Sequence, residues 1–248
     1  MIAAWDDLLD VYRRLETAYD IDGWHWRPDA GWLYICLGAI LVQHTAWANV
    51  ERALARLREA GAFSLEAVSA LPEDDLAELV KGAGMPLQKA RRLKAFAALV
   101  ERFGGPQRLF ALPTAELRAA LLATHGVGPE TADGIMLYAA HRPVFVIDAY
   151  TVRLFRRLGL SPAGGRYEAW QRWFEERLPV DADLYRRYHA AVVLHSKNTC
   201  RARPRCRGCV LLECCPTGLG HGPAAQGIRN REPGTKPLPG SWLPVPSG

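Results

Sequence analysis

The chain has 248 residues, with 31 Lys and Arg against 26 Asp and Glu and a formal charge of +5. That length can bury a substantial core, as one large domain or two modest ones. No run of about 18 uncharged apolar residues occurs, and the opening MIAAWDDLLDVYRRLE carries acids where a signal peptide needs a basic and then an apolar block, so a cytoplasmic protein with no membrane partner is expected.

The predicted elements are helical almost throughout. AWDDLLDVYRRLETAY, WANVERALARLREA, PEDDLAELVKGA, QKARRLKAFAALVERF and TAELRAALLATHG each place apolar residues at i, i+3, i+4 and i+7. Glycines punctuate them at Gly61, Gly82 with Gly84, Gly104 with Gly105, and Gly126 with Gly128. The β-branched run PVFVID is too short to argue for a sheet, and Asp148 at its end opens a further helical pattern, AYTVRLFRRLG. The expected class is all-α.

An internal repeat underlies the first half. ALPEDDLAELVKGAGMPLQKA (70–90) resembles ALPTAELRAALLATHGVGPETA (111–132), each a Leu-Pro helix start, a helix, a Gly-x-Gly turn and a second helix. Two such hairpins predict a helical domain over 27–143, leaving 1–26 with 144–215 to form a second. The Pro- and Gly-rich stretch 216–248 has no helical period and is expected not to fold on its own.

Three features carry chemistry. In the hairpin GVGPETA, Gly126, Val127 and Gly128 let the backbone approach a phosphate, and the next helix start offers unpaired N–H groups. Glu130 is unexpected at the mouth of such an anion site. Eighteen residues later Asp148 stands before a helix, a favoured N-cap position that can also face a substrate. Finally, five of the six cysteines fall between 200 and 215 in CRARPRCRGCVLLECCP. Cys200, Cys206 and Cys209, with either Cys214 or Cys215, can hold zinc or a [4Fe–4S] cluster as a structural group. Arg201, Arg203 and Arg205 lie between the first two cysteines, and from Arg142 to Arg207 fourteen Arg and Lys face six Asp and Glu, as a phosphate-binding surface would.

GVG-x-x-TA, then VIDAYTVRLFRRLG, then LHSKNTC leading into the cysteines together resemble the endonuclease III superfamily of helix-hairpin-helix DNA glycosylases, from about Trp24 to Cys215. The resemblance implies a six-helix barrel packed against a second helical domain, with damaged duplex DNA entering the cleft between them and its lesion base flipped out. It also implies a [4Fe–4S] cluster, with Cys215 as the fourth ligand by family spacing, although the first gap is one residue shorter here. Asp148 matches the family's essential aspartate. In bifunctional members a lysine occupies the position of Glu130 and forms a Schiff base, which a carboxylate cannot do. The five lysines here (Lys81, Lys89, Lys94, Lys197 and Lys236) all lie outside this motif, so a monofunctional enzyme with absent or weak lyase activity is expected.

GVGPETADGI, GAILVQHTAW and HWRP narrow the resemblance to the 3-methyladenine glycosylases of that superfamily. Trp26 and Trp47 then match an aromatic pair that sandwiches the alkylated base, and Lys197 matches a lysine near the pocket. That subgroup has a second tryptophan where this chain has Arg27, and its best-matching members lack the cluster that these cysteines imply. Gln43 and Met85 match positions that fill the gap left by the flipped base and wedge the duplex, but Gln43 in an apolar helix also suits a satisfied buried amide. The expected protein is a monomeric, nucleoid-associated glycosylase for alkylated bases. The alternatives are an endonuclease III-type enzyme for oxidised pyrimidines or mismatches, and a DNA-structure-binding protein with little catalysis.

Overall fold

A computed structural model describes residues 8–26 and 28–220; the N-terminal 1–7, Arg27 and the remainder of the tail, 221–248, lie outside the described residues. Among the described residues there are twelve α-helices and no strand. In chain order the first is α1 (Leu8–Glu16), followed by α2 (Trp32–Leu41), α3 (Trp47–Glu59) and α4 (Leu65–Ala70). Next come α5 (Glu73–Val80), α6 (Pro86–Arg102), α7 (Pro106–Phe110), α8 (Thr114–Leu122) and α9 (Pro129–Tyr138). The last three are α10 (Ala149–Arg157), α11 (Tyr167–Glu175) and α12 (Ala182–Asn198). No helix among the described residues is long and apolar enough to cross a membrane.

The chain divides into two units, one holding 8–26 with 143–220 and the other 28–142. In the second unit α2 is apolar all round, WLYICLGAIL, and buries everything from Ile35 to Leu41. A helix with no polar face must be surrounded. It is, by α3, α6 and α9. Cys36 is fully buried there, and burial pushes its thiol well above the usual range, so it behaves as a small apolar side chain. The repeat takes the form its two Leu-Pro starts predict: α5 leads through a 3₁₀ turn (Lys81–Ala83) into α6, and α8 leads through Gly126–Gly128 into α9. Proline opens both second helices, where its missing N–H costs no hydrogen bond.

The first unit has an aromatic core. Phe145 stacks on Phe174 at 4.2 Å and 5°, with Phe155, Tyr185 and Tyr188 edge-on around them. Tyr188 on α12 donates to the Leu8 carbonyl at 2.7 Å, a buried bond that pins α1. Arg187 on α12 also reaches Glu16 (3.0 Å) and Asp22 (2.7 Å), but its partners are partly or largely exposed, so the core and not this ion cluster does most of the holding.

The run PVFVID remains extended without joining a sheet. Val144 to Ile147 are buried, and a buried extended backbone needs hydrogen-bond partners from somewhere. Helix α11 supplies them. Glu175 accepts from the Phe145 N–H at 2.9 Å, Gln171 donates to the Phe145 carbonyl at 2.9 Å, and the Tyr167 hydroxyl accepts from the Ile147 N–H at 3.3 Å. This rail delivers Asp148 to the head of α10. At the other end of the unit, residues 216–220 do not stay loose as a tail beginning at Pro216 would. Thr217 is buried and its N–H donates to the Arg157 carbonyl at 3.4 Å, and Leu219 N–H bonds Cys215 O at 3.0 Å, folding the chain back onto the cysteine loop.

Candidate active site and cysteine loop

The hairpin in the second unit is built around Gly126. Its φ of 77° lies in the left-handed region, and a Cβ there would stand 2.3 Å from Cγ of Arg92. Arg92 lies across the turn and donates to Oε1 of Gln43. Gln43 in turn donates from Nε2 to the Gly126 carbonyl (3.0 Å) and to Oγ1 of Thr131 (2.9 Å). The carboxamide is 5 % exposed and engaged through both its nitrogen and its oxygen. Gln43 therefore shapes the hairpin from inside. In this structure it stands as the satisfied buried amide, not as an exposed group ready to fill a gap in DNA. Val127 is buried and Gly128 caps α9 in an extended conformation, followed by Pro129 and Glu130 in the first turn. The N–H groups at that helix start have no intrahelical acceptor and are the part able to meet a phosphate. Gly126→Ala combines backbone strain with displacement of Arg92. It is expected to cost about 1–2 kcal/mol in stability and to weaken duplex binding several-fold, measured by urea melts and fluorescence anisotropy.

Beneath the turn, Arg118 of α8 grips Asp133 of α9 in a two-pronged ion pair at 2.7 and 3.0 Å, with Asp133 at 0 % exposure. The first hairpin has its own internal brace. Lys89 is buried, and its ammonium donates to the Ala83 carbonyl; burial, with Arg92 nearby, pushes its pKa down to about 8. Above that brace Met85 adopts a left-handed backbone (φ 47°) and leaves its side chain 37 % exposed, beside Leu87 at 43 %. An apolar pair held out by a strained turn is the geometry that a duplex wedge requires. Trp47, also in this unit, starts α3, is half-buried and meets Tyr34 edge-on at 6.0 Å.

In the first unit Asp148 caps α10. Its Oδ1 accepts from both the N–H and the hydroxyl of Thr151, each at 2.7 Å. Oδ2 lies 3.6 Å from Nε2 of His189 on α12. Burial raises the carboxyl's pKa, yet the nearby His189 and the Thr151 hydrogen bonds outweigh it and hold the group below its usual value, hence ionised. His25 sits close by. Burial, then the charges of Lys197 and His189, push its imidazole down to about 3 and keep it neutral. Trp24 and Trp26 flank His25, with ring centroids at 3.9 and 5.6 Å, and Lys197 Nζ lies 5.7 Å over the Trp24 ring. Trp26 itself is 8 % exposed and edge-on to Trp24. Lys197 thus acts on His25, and its aromatic contact is Trp24.

Sequence reasoning missed His189, His25, Thr151 and Trp24. The spacing D-x-x-T could have shown Thr151 as the third residue of a capped helix. His189 interrupts the apolar run YHAAVV, where a polar side chain needs a partner, the same argument that drew attention to Gln43.

Cys200, Cys206, Cys209 and Cys215 line one pocket, and Cys214 lies outside its lining, buried in the 3₁₀ turn Leu212–Cys214. No three metal-binding side chains among the described residues stand close enough to hold a single ion. The thiols instead surround a shared space. Arg157 of α10 organises the approach, donating to the carbonyls of Cys200 (3.2 Å), Arg201 (2.6 Å) and Ala202 (2.9 Å) and to Cys200 Sγ (3.2 Å). His195 lines the same pocket, with Nε2 3.8 Å from Cys209 Sγ and Nδ1 2.9 Å from the Tyr19 hydroxyl. Arg201, Arg203 and Arg205 are exposed on this loop.

Comparison with known proteins agrees with this geometry. Residues 37–179 match the HhH-GPD superfamily of base excision DNA repair proteins. A Methanocaldococcus jannaschii protein named, provisionally, a DNA repair glycosylase is 39 % identical over 208 residues, 83 % of this chain and 94 % of that one. The solved structure of an H. pylori 3-methyladenine DNA glycosylase bound to 1,N6-ethenoadenine is 26 % identical with a TM-score of 0.68, covering 77 % of this chain and 97 % of its own. An endonuclease III in a non-covalent complex with DNA shares the fold, with a TM-score of 0.70 at 21 % identity over 90 % of this chain and 95 % of that one. With a helical fold, a Gly-x-Gly hairpin built as above and a match across more than half its length, the chain belongs to the HhH-GPD superfamily of base excision DNA repair proteins, among its DNA glycosylases.

Proposed function

We propose that the protein is a monofunctional DNA N-glycosylase that removes alkylated bases such as 3-methyladenine from duplex DNA, acting as a monomer in the cytoplasm at the nucleoid. The observation that carries the reading is Asp148, buried and ionised with one oxygen tied to Thr151; Glu130, separately, puts an acid in the first turn of α9. The likeness to the H. pylori 3-methyladenine enzyme supports the choice of lesion.

Flipping costs a few kcal/mol and is easiest at a damaged pair. The hairpin and the exposed Arg201, Arg203 and Arg205 hold phosphates, so binding is strongly salt-dependent, and Met85 enters the opened stack. A 3-alkylated purine carries positive charge, so its glycosidic bond breaks with little acid help. A tryptophan π-face attracts such a cation by about 1–2 kcal/mol when desolvated, and Trp26 and Trp47 are the candidates that the resemblance names. Asp148 stabilises the developing oxocarbenium ion and orients the water that attacks C1′. Lys197, beside Trp24, borders the base pocket.

Cys200, Cys206, Cys209 and Cys215 line one pocket, and by the resemblance to endonuclease III they would hold a [4Fe–4S] cluster. When bound, the cluster ties the loop that carries the arginines, a structural role. No step of base release passes through it.

A second reading has one observation behind it. The Lys197 amine lies over Trp24 and acts on His25, in the same unit as Asp148, so an endonuclease III-type enzyme with weak lyase activity would use it. Chromatography of bases freed from methylated duplex DNA tests the proposal: free 3-methyladenine is expected, at a similar rate for Lys197→Ala. Release of oxidised pyrimidines alone, with a borohydride-trapped adduct that Lys197→Ala abolishes, would establish the second reading instead.

A further inference from the structure

The two oxygens of Asp148 have different surroundings. Oδ1 is committed to Thr151, whereas Oδ2 faces His189 Nε2 at 3.6 Å. His189 is 4 % exposed and Asp148 8 % exposed, so little water intervenes to loosen the pair. His189 projects from α12, and the helix packs against α10 and α1. From α10 and its cap the charged groups are Asp148, Arg153, Arg156 and Arg157; Arg153 bonds the carbonyls of Ser196 and Cys200, and Arg157 those of Cys200 and Arg201. From α1, Tyr12 and Glu16 are bound by Arg187. Lys197 on the same helix and His25 from the stretch after α1 complete the set.

We propose that His189 is a positioning residue that fixes the orientation and charge of Oδ2, the oxygen of Asp148 that Thr151 does not hold. This rests on the reading of Asp148 as the reacting carboxylate. A neutral imidazole leaves Oδ2 as an oriented anion. An imidazolium pairs with Oδ2 and withdraws the negative charge that the oxocarbenium ion needs. Histidines change charge between about pH 5 and 8. Asp148 is held below the usual carboxylate range, so its own protonation falls at lower pH. The acid limb of base release therefore belongs to the pair and not to Asp148 alone.

His189→Asn keeps a donor near Oδ2 but cannot take a charge. The expected result is base release within about tenfold of wild type at pH 8, with KM for the duplex unchanged and the acid limb moved down by about one pH unit or more. His189→Ala is expected to lose substantially more rate than His189→Asn at pH 8. An acid limb identical in wild type and His189→Asn would overturn the proposal. A second arm needs no catalysis: ¹⁵N NMR titration of the His189 ring in the full chain, with and without Asp148→Asn. The ring-nitrogen signals are expected to move when the carboxylate is lost, and signals that stay unmoved would also overturn it. Coupling by NMR without any base release from damaged DNA would instead sink the reading of Asp148 as the reacting group and leave the pair intact.

Discussion

Asp148→Asn is expected to cut base release by about 10²–10⁴-fold while leaving duplex affinity and melting temperature close to wild type. The separation follows from the two jobs of one carboxylate. Asparagine is as good an N-cap as aspartate, and its Oδ1 can still accept from the N–H and hydroxyl of Thr151, so α10 keeps its start. What disappears is the negative charge on the other oxygen. Single-turnover release, anisotropy with an abasic-analogue duplex and a thermal melt, run on the same preparation, read the three quantities. A variant that retains full release would remove Asp148 from the chemistry. A variant that melts early would mean that its charge serves the fold, through His189, more than the reaction.

The largest expected effect on stability lies elsewhere. Arg118→Ala should destabilise the protein by about 3–5 kcal/mol, because it leaves the Asp133 carboxylate fully buried and without its two-pronged partner. The pair joins α8 to α9 directly under the Gly126 turn, so duplex binding should weaken together with stability. Replacing both residues by apolar ones, Arg118→Met with Asp133→Leu, should recover most of the loss, since paired buried charges add little over well-packed apolar side chains. Urea melts of the two variants decide the point. Equal destabilisation of the single and double variants would show that the ion pair contributes through something other than charge compensation.

The hairpins and the helices around them were legible because their signals are local. Leu-Pro starts, Gly-x-Gly turns and a 3.6-residue apolar period are properties of short windows, and each resulting helix follows from them with small changes at its ends. The all-round apolar α2 likewise announces burial. Residues whose meaning depends on distant partners were less legible. Gln43 looked equally suited to DNA or to the interior, and only Arg92, 49 residues away, and the hairpin carbonyl 83 residues away decide between them. Trp26 is flanked by His25 and Trp24, and the cation–π contact of Lys197 falls on Trp24. His189 meets Asp148 across 41 positions of sequence, so no window joins them. The extended run PVFVID shows the same limit in the backbone: its hydrogen bonds come from side chains of a later helix, which no strand propensity encodes.

The measurement that bears most directly on the account is single-turnover reaction with a duplex carrying one alkylated purine, borohydride present, and the strand analysed before and after alkali. The account predicts free alkylated base, an intact strand that breaks only with alkali, and no trapped covalent adduct. Strand cleavage without alkali, accompanied by a trapped adduct, would contradict it and place an amine at the reacting carbon.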